Sequence, residues 1–281
     1  MKIPSQEVSV QSEETLAIKR ITEDALDQGF SISLWRLPDS PERNLIICTS
    51  GPSIVGELSI EDAAPGFLIS PYDLDRPRLF LKADRSYSFQ EGKLIQASHP
   101  FSEDFFERPS QSKPRFHIHG DRAPASAEPE KSFIKLVNKA VEAIQAKQFE
   151  KVVPSRSKEV LLPVSFEPLD LFQQLCDTYP HAFISLTSTP QSGTWIGASP
   201  ELLVSVDSQQ RFRTMSLAGT QKLSPGADPR SVAWTQKEIE EQAMVSRYII
   251  NCFKKIRLRE FSEHGPKTWT AGHLIHLRTD F

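Results

Sequence analysis

The apolar residues of this chain fall in short runs that proline repeatedly interrupts, and this limits the elements that can form. Over the first hundred residues, β-rich runs at 30–37, 45–49, 66–70, 79–83 and 87–90 are separated by turn residues such as Pro38, Pro41, Pro65 and Pro71. Proline fixes φ and has no N–H to give a sheet, so each run must end in a turn. Ahead of them, SEETLAIKRITEDALDQ over 12–28 has helical spacing and is closed by Gly29, which can take the left-handed conformation of a helix C-terminus. Residues 1–106 read as an antiparallel β-rich region that announces no function by itself.

Residues 107–130, ERPSQSKPRFHIHGDRAPASAEPE, are rich in Pro, Ser and charge and read as a connection. His117 and His119 form a His-x-His pair, but no Cys or carboxylate stands at ligand spacing, so they read as ordinary polar residues. The pattern then changes. Ser132 is placed to cap a helix with Phe133, Leu136, Val137, Ala140 and Ile144 on one face. A strand at 151–156, a helix near 168–177 and a strand at 182–188 follow. Beyond them come a hairpin-like pair around 195–197 and 202–206, a strand at 212–217, a long helix at 231–257 and a final strand at 274–278. Helices mixed with sequence-adjacent strands predict an α+β fold over 131–281.

Composition narrows the function classes. Hydrophobic residues make up 38%, charged residues 25%, and the formal net charge is −3, which argues for a globular protein without a nucleic-acid surface. No apolar run approaches the roughly 20 residues of a membrane span, and the N-terminus has no apolar signal segment. Cys48, Cys176 and Cys252 lie far apart and read as reduced thiols of a cytoplasmic protein.

Four segments place reactive groups at element ends or among apolar neighbours. In FEKVVPSR, Lys151 opens a strand on the same face as Val153, where loss of solvation would make it a base; on spacing alone a solvated strand-end lysine fits better. In WIGASPELL, Glu201 follows a tight turn and is flanked by Leu202 and Leu203, surroundings that favour a protonated general acid, though a surface glutamate fits too. In SLAGT, Gly219 ends a strand and would let a ligand approach the backbone, with Thr220 as a donor; a plain tight turn is the alternative. In the long helix, Glu241 aligns with Val245, Tyr248 and Cys252 in a predicted core-facing stripe, and Glu238 lies one turn earlier. Two carboxylates leading an apolar stripe need a neutralising partner such as Mg²⁺, or else form a solvated first turn.

Taken in order, FEKVVPSR, FISLTSTPQSGTWIGASPELLV, LAGT, KEIEEQ and HLIHLRT resemble the chorismate-utilising enzymes, most closely the isochorismate synthases, over residues 131–281. The resemblance implies an α+β core of two packed antiparallel sheets with outer helices. It also implies Mg²⁺ as cofactor and chorismate as the small-molecule substrate. Lys151 matches a family lysine that activates water, where ammonia-using relatives carry glutamine, and Ala218 stands where aminodeoxychorismate-type enzymes carry lysine. By resemblance, Lys151 is the base for water attack at C2 and Glu201 is the acid for the departing C4 hydroxyl. Glu241, with Glu238 close by, holds the metal. Gly219 and Thr220 shape the carboxylate pocket, and His276 matches a histidine near the substrate. Salicylate synthase, which adds pyruvate elimination, is the alternative reaction; anthranilate synthase is disfavoured by Lys151. Menaquinone and siderophore synthesis are both open as destinations.

The family's chains continue past the point matching Phe281, with segments that supply a substrate arginine and a second metal glutamate. The resemblance therefore implies a C-terminally incomplete chain whose last strand is a sheet edge, with a missing segment or partner chain completing it. Low activity in isolation follows, and a non-catalytic interaction protein is the alternative class. Gln242 stands where the family often has histidine.

Overall fold

The computed structural model of the chain describes residues 13–73, 75–91, 93–101, 115–118, 128–224, 226, 228–272 and 274–281. The chain divides into two compact units, Met1–Ile118 with Pro168–Phe281, and His119–Glu167. The first unit begins with α1 (Glu13–Asp27) and the strands β1 (Ser31–Arg36), β2 (Arg43–Cys48), β3 (Ser53–Val55), β4 (Gly66–Ile69), β5 (Arg78–Lys82), β6 (Arg85–Gln90) and β7 (Lys93–Ala97). Helix α2 (Pro129–Gln145) belongs to the second unit. The first unit resumes with α3 (Pro168–Thr178), β8 (Phe183–Thr189), β9 (Gly193–Ser199), β10 (Ser205–Val206), β11 (Phe212–Arg213) and β12 (Met215–Lys222). Helix α4 (Gln236–Lys255), β13 (His264–Ala271) and β14 (Leu274–Asp280) complete it.

Gly29 ends α1 as its position in the sequence predicts. At φ +77° it is left-handed, its N–H bonds the Leu26 carbonyl, and the Phe30 N–H bonds the Ala25 carbonyl, each at 2.9 Å. The helix buries Ile18, Ile21, Ala25 and Leu26, and α3 buries Phe172 and Cys176, in one cluster with Ile32, Leu34, Leu45, Phe89, Ile184 and Leu186 of a six-stranded antiparallel sheet. That sheet runs β7-β6-β2-β1-β8-β9. Strand β1 pairs with β2 on one side and β8 on the other, with Leu34 opposite both Leu45 and Leu186. The N-terminal β-rich region and the 131–281 region therefore share one sheet, and a boundary at 107–130 does not separate them. Strand β1 is central in that sheet, and its Ile32 and Leu34 are fully covered under α1 and α3.

Arg36 fastens the end of β1 to the turn between α3 and β8. Its guanidinium donates to the carbonyls of Tyr179 and Pro180, both at 2.6 Å, and Ala182 at 3.0 Å, while the residue is only 5% exposed. A small sheet, β3-β5-β4, packs Leu79 and Leu81 against Ile46 and Cys48 of β2. The second large element of the fold is the antiparallel sheet β12-β14-β13, with α4 packed on β12 and β14. Phe253 of α4 sits among Phe212, Phe261 and Phe281, with ring centroids 6.0, 5.0 and 5.9 Å away. The α+β architecture with antiparallel sheets and outer helices stands.

Several local expectations change. The last strand, β14, is not an edge; it pairs with β12 on one side and β13 on the other. Residues 195–197 pair with β8, not with 202–206, and β10 pairs with β11 instead. In the smaller unit, residues 151–163 form no strand. Ser132 lies inside α2, one turn past Glu128, and Pro129 occupies the first helical position that proline favours. The apolar face of α2 is present but buries none of its residues. Strands β3, β7 and β13 were not legible, being short or interrupted by Gly and Pro. His117 joins the first unit's sheet, its N–H bonding Ser188 Oγ at 3.0 Å and its Nε2 lying 3.1 Å from the Phe30 carbonyl. His119 and most of the 107–130 connection lie outside the described residues.

Replacing Arg36 with methionine leaves three carbonyls, that of Ala182 buried, without their charged donor. Urea denaturation is expected to show a loss of about 3 kcal/mol, and an unchanged midpoint would mean that water takes the donor's place.

Candidate active site

The site half of the molecule is built on β12. Its register with β14 runs Ser216↔Thr279, Leu217↔Arg278 and Ala218↔Leu277, then slips so that Thr220 faces His276. Gly219 is the extra residue, at φ +64°, a bulge position where a side chain would be strained. The slip brings Thr220 Oγ1 to 3.1 Å from His276 Nδ1. Burial pushes the His276 pKa below the ordinary value of 6.5, partly opposed by a hydrogen bond with the Gly219 backbone. Thr220, Gly219 and His276 thus form one hydrogen-bonded group.

Within the chain, what comes close to Gly219 is the start of α4. A Cβ added there would lie 3.3 Å from Glu238 Cβ and 3.4 Å from the Trp234 ring. The helix begins with a capping box that the sequence reading missed, Thr235 with Glu238 three residues later. The Thr235 N–H and hydroxyl donate to Glu238 Oε2 at 2.8 and 2.9 Å. The Gln221 amide of β12 donates to Oε1 at 3.1 Å and Oε2 at 2.9 Å, and also to the Ala233 carbonyl at 3.1 Å. The donating Thr235 N–H, ahead of the Gln221 amide, holds the Glu238 carboxyl below the usual carboxylate range. Trp234 Nε1 donates to Thr268 Oγ1 of β13 at 2.9 Å. Neither Gln221 nor Trp234 stands out in the sequence, because their partners are distant along the chain.

The predicted core-facing stripe of α4 is rotated. Tyr248 is 68% exposed, and the buried side chains are Gln242 and Phe253. Glu241 sits half-buried on the flank of that face. A Mg²⁺ ion needs one or two carboxylates with waters and an oxyanionic substrate. The carboxylates of Glu238, whose oxygens accept hydrogen bonds, and of Glu241 are the donor type such an ion takes, with waters and the substrate completing its shell. Among the described residues no cluster of three His, Cys, Asp or Glu side chains could hold a metal alone.

Glu201 follows the end of β9 and is exposed; the Ser199 hydroxyl donates to its carbonyl at 3.2 Å. The apolar enclosure expected around it is open, since Leu203 is 85% exposed. The Leu203 carbonyl accepts from Thr214 Oγ1 at 2.6 Å, which ties this segment to the start of β12. Lys151 lies in the smaller unit, half-buried at the start of the irregular stretch 151–163. Glu201, Gly219, Thr220, Glu238, Glu241 and His276 all lie in the larger unit.

Residues 82–281 match the family described as chorismate binding enzyme, and the chain belongs to that family. Among solved structures it is similar to a Bacillus anthracis protein, DhbC, assigned as a 2,3-dihydroxybenzoate-specific isochorismate synthase. The TM-score is 0.60 at 16% identity, covering 92% of this chain and 70% of that one. It is also similar to MenF, the menaquinone-specific isochorismate synthase of Escherichia coli, with a TM-score of 0.58 at 15% identity, covering 92% of this chain and 66% of that one. At these identities the likeness shows the shared fold. No curated protein matches the chain by sequence.

Because the folded pKa of His276 is depressed, folding favours its neutral ring. Its stabilising share is complete above 6.5 and is lost as pH falls from that value through the folded pKa. An NMR titration of the ring is expected to give a midpoint below 6.5 that rises toward the ordinary value on unfolding. A folded midpoint above 6.5 would contradict the burial of the ring.

Proposed function

We propose that the chain is an isochorismate synthase of the cytoplasm, converting chorismate to isochorismate by adding water at C2 and losing the C4 hydroxyl. The observation that carries this reading is the family membership across 82–281 combined with a lysine, Lys151, in FEKVVPSR. A lysine at that point fits activation of water, whereas an amide side chain would be inert as a base. The two similar solved structures are named as isochorismate synthases, which favours the same reaction class here.

In this reading Lys151 takes a proton from the attacking water, and Glu201 gives a proton to the leaving C4 hydroxyl. Base and acid act on different atoms of the ring, so each must hold the opposite protonation state at the start of the reaction. Thr220 and His276, joined by their hydrogen bond, supply polar contacts to a substrate carboxylate beside the Gly219 bulge. Glu241 is the carboxylate for Mg²⁺, and Glu238 keeps the first turn of α4 in place. When bound, Mg²⁺ neutralises charge on the substrate carboxylate.

Purified protein incubated with chorismate and Mg²⁺ is expected to yield isochorismate, resolved by chromatography, at the low rate that the sequence reading implies for the isolated chain. Lys151→Ala should lower the rate at least about 100-fold, the scale of a lost general base. Salicylate with pyruvate would move the assignment to salicylate synthase. No product from the wild-type chain would leave the family membership standing and overturn the reading of the isolated chain as an isochorismate synthase.

A further inference from the structure

Gln242 is the polar residue that the chemistry above leaves unused. It is 2% exposed, at the centre of the face that α4 lays on the sheet. Its Nε2 donates to Ser216 Oγ at 2.6 Å, to Thr279 Oγ1 at 3.0 Å and to the Ser216 carbonyl at 3.3 Å. The carbonyl can only accept, which fixes the orientation of the amide. Ser216 and Thr279 are register partners on β12 and β14, so one side chain bridges both strands at a single rung of the ladder. Ser216 Oγ in turn lies 2.9 Å from Ser246 Oγ, one turn further along α4.

The other carboxamide atom tells against a purely stabilising role. Gln242 Oε1 is buried with no partner among the described residues, an arrangement that packing alone would not select. A methionine would fill the same space without an orphaned acceptor. What the glutamine adds is geometry: its donors find partners at only one azimuth and one axial position of the helix, whereas apolar contacts tolerate sliding. One turn earlier, Glu238 is held by Gln221, so α4 is latched to β12 at two polar points four residues apart. Glu241 lies between these points.

We propose that Gln242 is a positioning residue, which bridges Ser216 and Thr279 to fix the register of α4 and thereby aims Glu241 at the cation and substrate. The proposal rests on the reading of Glu241 as the Mg²⁺ carboxylate. A displaced α4 would leave the capping box intact but move the Glu241 oxygens. Partners that orient a ligand in this way commonly change metal affinity by about 10–100-fold when removed.

The test compares the wild-type chain with Gln242→Met, using Phe253→Leu as a control that weakens the apolar end of the same helix. Three quantities are read: melting temperature, Mn²⁺ affinity by paramagnetic resonance, and hydrogen–deuterium exchange over residues 236–241. Gln242→Met is expected to melt within about 4 °C of wild type, yet bind Mn²⁺ about tenfold more weakly and exchange faster over 236–241. Phe253→Leu should lower the melting temperature and leave Mn²⁺ binding unchanged. Unchanged Mn²⁺ affinity and exchange in Gln242→Met would overturn the proposal. If wild-type protein binds no Mn²⁺, the metal reading of Glu241 falls, and the exchange comparison alone decides the register role: faster exchange sustains it and equal exchange overturns it.

Discussion

The geometry of the site depends on β14 having a partner on each side. A strand paired on both edges cannot slide, and its period of two then assigns each side chain to a face. Ile275, Leu277 and Thr279 are buried on the face toward α4, and His276 falls on the other. The Gly219 bulge breaks this regularity at one point and brings Thr220 opposite His276. Without the bulge, Gly219 would face His276 and the Thr220 hydroxyl would be carried one residue further along the strand.

Helix α4 is held to this sheet by two kinds of contact. Phe253 and the surrounding rings supply apolar area at the C-terminal end. Polar contacts dominate the N-terminal end, where Trp234, Gln221, Glu238 and Gln242 each reach β12, β13 or β14 or accept from them. Apolar packing makes the helix adhere; the directional bonds decide where along the sheet its first two turns rest. This division explains why the glutamate nearest Gly219 is occupied with helix capping. On the proposed chemistry Glu241 is the carboxylate for the cation.

Local chemistry was largely legible in the sequence. Gly29 as a helix terminator and the apolar runs of β1, β2, β5, β6 and β8 depend on neighbours within a few residues. The long-range facts were not. That β1 pairs with β8 across 150 residues of chain cannot be read from either run, because both are simply short and apolar. The α4 stripe was misjudged by the rotation between Glu241 and its neighbour Gln242. At 100° per residue, spacing alone fits both faces, and only the sheet's Ser216 and Thr279 select one. Lys151 is the opposite case: FEKVVPSR has strand-like alternation, yet residues 151–163 take up no regular structure, since a strand needs a partner and alternation supplies none.

The central functional claim is that water, and no other nucleophile, enters the substrate ring. The direct measurement is mass spectrometry of the product formed from chorismate in water enriched in oxygen-18. The proposed chemistry requires one heavy oxygen in isochorismate, at C2, with the original C4 oxygen released. Product lacking the label, or an aminated product when ammonium is supplied, would contradict it.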